Sequence, residues 1–183
     1  RRGPNIRPLP RRGPQEDSLE LRVLLRLGDN VTTDDIMPAG AGILPLRSNI
    51  EAISRFVFSS IDPGFSARAR ETGPGCIAAG ANYGQGSSRE HAALVPMHLG
   101  IKAVFALSFA RIHRSNLINF GILPVVVSRA GYERLTPGST VMVKNILAAL
   151  KGASRLDVRM KDTGDSLECT LDVTAREAGL LRA

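Results

Sequence analysis

The residues with the densest chemistry lie at positions 80–93, which read Gly-Ala-Asn-Tyr-Gly-Gln-Gly-Ser-Ser-Arg-Glu-His-Ala-Ala. Three glycines, Gly80, Gly84 and Gly86, let the backbone enter φ > 0 and come close to a ligand. Ser87 with Glu90 three residues later has the spacing of a capping box, and Ala92, Ala93 and Leu94 continue as a helix. A strand, a glycine loop and a helix N-terminus together turn unpaired N–H groups and positive dipole toward an anion. Arg89 adds a fork able to hold a carboxylate through two parallel bonds. The run lacks the Gly-Lys-Ser/Thr ending of a phosphate loop and the third glycine of a dinucleotide fingerprint. Its anion is of another kind, and Asn82, Tyr83, Gln85, Ser88 and His91 crowd polar groups around it.

The elements that must position this loop follow from the apolar pattern. Residues 19–27 partly alternate and read as a first strand, closed by Gly28-Asp29-Asn30 and a polar turn at Thr32-Thr33-Asp34-Asp35. A Gly/Pro-punctuated loop over 39–47 ends in Arg47-Ser48-Asn49, which caps a helix over 50–58. Residues 59–74 read as loop. From Cys76 the rhythm is strand, helix, strand, helix, strand: 76–79, 88–99, 102–107, 109–119 and 122–127, with Pro96 kinking the first helix and Gly121 ending the second. Such apolar strands imply a parallel, covered sheet. After Gly131 come short strands at 140–143, 155–160 and 166–173, the last two joined through Asp162-Thr163-Gly164-Asp165, and a closing helix over 175–181. The class is α/β with a strand-rich C-terminal part.

Composition narrows the function classes. The 183 residues suit one domain with a sizeable core, and no apolar run reaches membrane-spanning length. The net charge is +7, but Arg1, Arg2, Arg7, Arg11 and Arg12 supply five of those charges within twelve residues, leaving +2 for the rest. That balance, with aromatics at 4% and so no platform for stacking bases, argues against nucleic-acid binding by the folded body. The basic, Pro-rich segment 1–18 reads as a linker, and the chain as a piece of a longer polypeptide. Cys76 and Cys169 read as reduced core residues of a reducing, cytoplasmic setting, with no signal-peptide pattern. Without a Cys-x-x-Cys the chain by itself is not expected to ligate an iron–sulfur cluster. His91, His98 and His113 form no metal constellation and read as structural.

Gly84-Gln85-Gly86-Ser87-Ser88-Arg89-Glu90-His91-Ala92, with Ser108-Phe109-Ala110-Arg111-Ile112-His113 and Gly121-Ile122-Leu123-Pro124, strongly resembles the C-terminal swivel domain of aconitases. The small subunits of isopropylmalate dehydratase and homoaconitase are similar. Thr32-Thr33-Asp34 and Arg47-Ser48-Asn49 match the upstream part of the pattern, so the likeness runs from about residue 19 to 127. Two departures stand out: Asp35, where many aconitases carry His, and a compact 39–47 loop, a region that differs between substrate classes.

The resemblance implies a swivelling three-layer β/β/α domain over 19–183 with a partly parallel central sheet. It implies that Ser87 removes the proton next to a substrate carboxylate, and that Ser88 and Arg89 bind substrate. Arg47 is expected to hold a second carboxylate and Asp34 to orient catalytic groups across an interface. A 4Fe–4S cluster on partner domains acts as Lewis acid on the leaving hydroxyl. The implied reaction isomerises citrate and isocitrate through cis-aconitate, or acts on a related hydroxy-diacid as in homoaconitase and isopropylmalate dehydratase. An RNA-binding role through the arginine tail is the alternative from another class. A serine base needs more than the helix dipole, which is worth about 1 kcal/mol. The glycines Gly84 and Gly86 are therefore expected to aim main-chain donors at the Ser87 oxygen, as an oxyanion hole does. Taken singly, Ser87 reads as a helix cap and Arg47 as a surface charge.

Overall fold

A computed structural model describes residues 8–40 and 42–183; residues 1–7, with three of the five tail arginines, and Ala41 of the 39–47 loop lie outside it. Among the described residues seven strands close into a barrel in the order β1-β2-β3-β4-β7-β6-β5. They are β1 (Leu19–Arg26), β2 (Gly75–Ala79), β3 (Ile101–Ala106), β4 (Leu123–Val127), β5 (Thr140–Lys144), β6 (Arg155–Met160) and β7 (Ser166–Thr170). β1 to β4 run parallel, and the remaining four pairings around the ring, β4 with β7, β7 with β6, β6 with β5 and β5 with β1, are antiparallel. The partly parallel sheet and the C-terminal hairpin were therefore legible, but closure was not. Closure comes from β5 pairing with β1, a contact between strands more than a hundred residues apart.

Among the described residues eight α-helices accompany the sheet: α1 (Thr33–Ile36), α2 (Ile50–Ser54), α3 (Phe65–Thr72), α4 (His91–His98), α5 (Arg111–Asn119), α6 (Arg129–Arg134), α7 (Ile146–Ala148) and α8 (Ala175–Arg182). Three expectations are corrected here. Residues 65–72 form a helix where a loop was expected, α6 was not foreseen, and α2 stops at Ser54 rather than continuing to Phe58. α3 escaped because its sequence Phe-Ser-Ala-Arg-Ala-Arg-Glu-Thr shows little apolar period; Phe65 and Ala69, one turn apart, are buried and hold it down.

The apolar residues form two cores, one on each side of the parallel strands. Cys76, Ala78, Ala103, Phe105, Leu123 and Val125 belong to the barrel interior with residues of the antiparallel strands. Ile77, Ala79, Val104 and Ala106 face the other way, into the layer of α2, α3, α4 and α5. Burial on both faces is why β2 and β3 read as continuous apolar runs. In β1 a register shift between Val23 and Leu25 turns the strand over, so Leu21 and Val23 fill the barrel while Leu25 and Leu27 fill the helical layer.

The segment ahead of β1 is pinned to the body. Arg12 donates to the carbonyls of Leu180 and Leu181 at 2.8 and 2.7 Å, near the C-terminal end of α8, where a cation satisfies otherwise unpaired acceptors. Asp17 accepts from the amides of Ile146 and Leu147 through its main-chain and side-chain oxygens.

Candidate active site

Three sequence motifs meet at the end of β2. The chain leaving Ala79 is stitched on one side to residues 29–33 and on the other to 108–110. Gly84 and Gln85 donate their amides to the Val31 carbonyl, and Thr33 returns a bond to the Gln85 carbonyl at 3.0 Å. Tyr83 exchanges main-chain bonds with Ser108 and Ala110, while the Asn82 amide donates to the Ser108 hydroxyl at 2.8 Å. Asn82 sits in the left-handed region (φ 57°), and its side chain ties Asn30 to Gln85. Buried main-chain groups must find partners, and these sequence-distant segments supply them for one another.

Gly84 and Gly86 hold φ of +83° and +100°, a region side chains rarely enter. A Cβ on Gly84 would stand 2.1 Å from Cδ2 of His113, which packs directly behind the loop. His113 is 1% exposed, lies 5.3 Å from the Tyr83 ring centroid, and neither ring nitrogen has a partner among the described residues. Burial lowers its pKa to about 4, so the imidazole is neutral at pH 7. Burial also pushes the Tyr83 phenol up.

The helix after the loop begins later than its capping-box spacing implies. α4 starts at His91; Glu90 is its N-cap residue, in helical conformation and without a side-chain cap. The Ser87–Glu90 box is not formed. The Ser87 hydroxyl thus makes no hydrogen bond among the described residues, and the residue is exposed. What is held is its carbonyl, which accepts from the Thr33 hydroxyl at 2.9 Å. A capping box does form at Thr32–Asp35, where the Asp35 carboxylate takes the Thr32 amide (2.8 Å) and hydroxyl (2.7 Å). This accounts for Asp35: it closes the first turn of α1 and so aims Asp34.

Asp34 and Arg89 form an ion pair of 2.5 Å, and the same guanidinium donates to the Met37 carbonyl at 3.2 Å. Arg47, Ser88 and Arg89 line one cavity of about 300 Å³, whose other walls include Met37, Pro38, Ile43 and Ile53. The Arg47 guanidinium has no hydrogen bond or ion pair among the described residues. Two cations from segments more than forty residues apart thus face one hollow. Ser87 is not a lining residue of that hollow; it stands one residue before Ser88 on the same turn.

The main-chain donors differ from expectation in one respect. The Gly84 amide is engaged by Val31, so it cannot reach Ser87. The amides of Gly86, Ser87, Ser88 and Arg89 donate to nothing among the described residues, and they form the unpaired run ahead of α4. Such a run, with the helix dipole behind it, attracts negative charge. Gly84 serves instead to let the loop pass His113. Sequence reasoning missed Thr33, Ser108 and His113; the one available signal was their place within the matching motifs.

The two cysteines do not fit an iron–sulfur cluster. Cys76 and Cys169 are buried in the barrel interior, where burial pushes both thiols up, that of Cys169 to about 12. Among the described residues no three His, Cys, Asp or Glu side chains converge as a metal would need, and no helix is long and apolar enough to cross a membrane.

Comparison with known proteins gives these features a context. A family model described as the aconitase C-terminal domain matches residues 66–130. A probable mitochondrial aconitate hydratase of Caenorhabditis elegans is 31% identical over 88% of this chain and 24% of its own length. The 3-isopropylmalate dehydratase small subunit of Halothermothrix orenii is 40% identical over 66% of this chain and 69% of its own. A crystal structure of 3-isopropylmalate dehydratase from Methanocaldococcus jannaschii superposes with a TM-score of 0.69 at 28% identity, covering 87% of this chain and 86% of that one. The chain therefore spans about a quarter of the aconitate hydratase and over two thirds of the small subunit. With its motifs joined at one loop and its fold shared, the chain belongs to the hydro-lyase family of aconitase C-terminal domains and isopropylmalate dehydratase small subunits.

Proposed function

We propose that this chain supplies the carboxylate clamp and the base of a hydro-lyase that interconverts citrate and isocitrate through cis-aconitate. The observation that carries this reading is the convergence of Arg47, Ser88 and Arg89 on one cavity, with Asp34 bonded to Arg89. Each charge-assisted bond from arginine to a carboxylate is worth roughly 1.5–3 kcal/mol, which suits a substrate bearing several carboxylates. Ser87 takes the proton from the carbon beside one of them. The unpaired amides of residues 86–89 and the charge of Arg89 stabilise the alkoxide this requires, because the dipole alone contributes about 1 kcal/mol. The Asp34–Arg89 pair keeps the guanidinium aimed before substrate arrives. Asp34 is 63% exposed, so the pair is weak enough for a substrate carboxylate to compete.

The leaving hydroxyl needs a Lewis acid, and a 4Fe–4S cluster supplies that chemistry in this reading. Since Cys76 and Cys169 do not fit it, the cluster belongs to partner domains, against which the body over residues 19–183 swivels and to which segment 1–18 leads. A second reading, the small subunit of a two-chain dehydratase acting on a hydroxy-diacid, is favoured by one observation: a dehydratase chain of similar extent shares the fold over 86% of its length. Ser87→Ala in the enzyme that carries this chain should lower kcat by about three orders of magnitude with KM little changed. Near-normal turnover in that variant would remove Ser87 from the base role.

A further inference from the structure

His91 is the first residue of α4, two positions after Arg89, and it lines the same cavity. Its Nε2 lies 3.1 Å from the carbonyl oxygen of Arg47. A carbonyl can only accept, so Nε2 carries the proton and donates. One side chain therefore joins the helix that follows Arg89 to the loop that carries Arg47. Nothing else restrains that guanidinium directly, because among the described residues it has no hydrogen bond or ion pair of its own.

The contact is not needed to hold α2 against α4. Two turns along α4, His98 bonds the Glu51 carboxylate of α2 at 2.8 Å, and Arg70 of α3 bonds the other Glu51 oxygen at 2.9 Å. Ile50 and Ile53 of α2 and Leu94 and Val95 of α4 are buried in the same apolar layer. Asn49 caps α2 through the Ala52 amide, so the helix start is fixed as well. Ahead of that cap the Asn49 amide bonds the Leu46 carbonyl at 2.8 Å, and within the turn so formed the His91 bond falls on the backbone of Arg47 itself.

We propose that His91 is a positioning residue for Arg47, setting the separation of the Arg47 and Arg89 guanidinium groups so that both meet carboxylates of one substrate. The proposal rests on the reading of these arginines as a clamp. A small error in such spacing is costly, since a displacement of about 1 Å can lower rates by about a hundredfold. Because Arg47 binds substrate rather than reacting with it, loss of its positioning falls on KM rather than kcat.

The test uses the enzyme that carries this chain, with His91→Ala, His91→Gln, Arg47→Lys and the double variant His91→Ala/Arg47→Lys. His91→Ala is expected to raise KM about tenfold with kcat within about twofold. Glutamine, whose Nε2 reaches a similar point and also donates, is expected to restore most of the affinity. The double variant should be no worse than Arg47→Lys alone, the non-additivity of two residues acting through one contact. Amide hydrogen exchange should rise at residues 46–49 in His91→Ala and stay unchanged in β2 and β3. If Arg47→Lys raises KM and His91→Ala does not, the positioning role is overturned and the clamp stands. If neither raises KM, both fall. If only His91→Ala does, His91 touches substrate itself and positioning is overturned.

Discussion

The Thr33 hydroxyl donates to the Ser87 carbonyl at 2.9 Å, joining the first helical turn of the domain to the loop that bears the proposed base. Thr33 is 2% exposed, so the donor end of this bond is shielded from water. Thr33→Val keeps the shape and removes the donor. It should lower stability by about 1 kcal/mol and reduce kcat more than KM, since Ser87 loses its restraint. Thr33→Ser should recover both, as read by thermal denaturation and steady-state kinetics.

Arg47→Lys tests the clamp directly. Lysine replaces a planar fork with a point charge, so two-point recognition of a carboxylate is lost while charge is kept. KM is expected to rise by about tenfold to a hundredfold, equivalent to one bond of roughly 1.5–3 kcal/mol. Stability should not change, because the Arg47 guanidinium has no partner among the described residues and its carbonyl, which His91 bonds, is kept. An unaltered KM in initial-rate measurements would count against the clamp.

Gly84→Ala probes the packing behind the loop. The new methyl would stand 2.1 Å from the His113 ring, on a backbone with φ of +83°. Overpacking costs about 1–3 kcal/mol and the left-handed conformation about 1–2 more. Urea denaturation should show a loss of several kcal/mol, the order expected from those two terms together. Gly86→Ala should lose less, since the nearest atom to its added Cβ is 3.7 Å away.

His113 should make the domain acid-sensitive. Its pKa falls from 6.5 when unfolded to about 4 when folded, because burial penalises the imidazolium. Between these values the unfolded chain binds a proton that the folded chain does not, so stability rises with pH across that window and falls on acidification. The loss between pH 6.5 and 4 is of the order of 3 kcal/mol. His113→Phe removes the titration and both unpaired nitrogens. The wild-type unfolding free energy should rise relative to that of the variant from pH 4 to 6.5; a constant difference would exclude this origin.

Local chemistry was readable from the residues alone. The apolar strands β2 to β4, the Asn49 cap of α2, the hairpin joining β6 and β7, and the glycine loop before α4 all rest on neighbours within a few positions. Propensity, capping and period act over that range. The start of α4 was misplaced because Ser87 and Glu90 have the right spacing for a box, yet Thr33 holds the Ser87 carbonyl from another segment.

Everything else depended on contacts between distant parts of the chain. Closure of the barrel needs β5 beside β1, and the meeting of Arg47 with Arg89 needs α2 packed on α4. The amide of Gly84 was claimed by Val31, which moved the free donors on to residues 86–89. Residue types alone led to the expectation of an anion site, because glycines, serines and an arginine carry that chemistry wherever they stand. Which donors stay free, and which cations share the hollow, was settled by tertiary hydrogen bonds and by burial, neither of which leaves a periodic mark in the sequence.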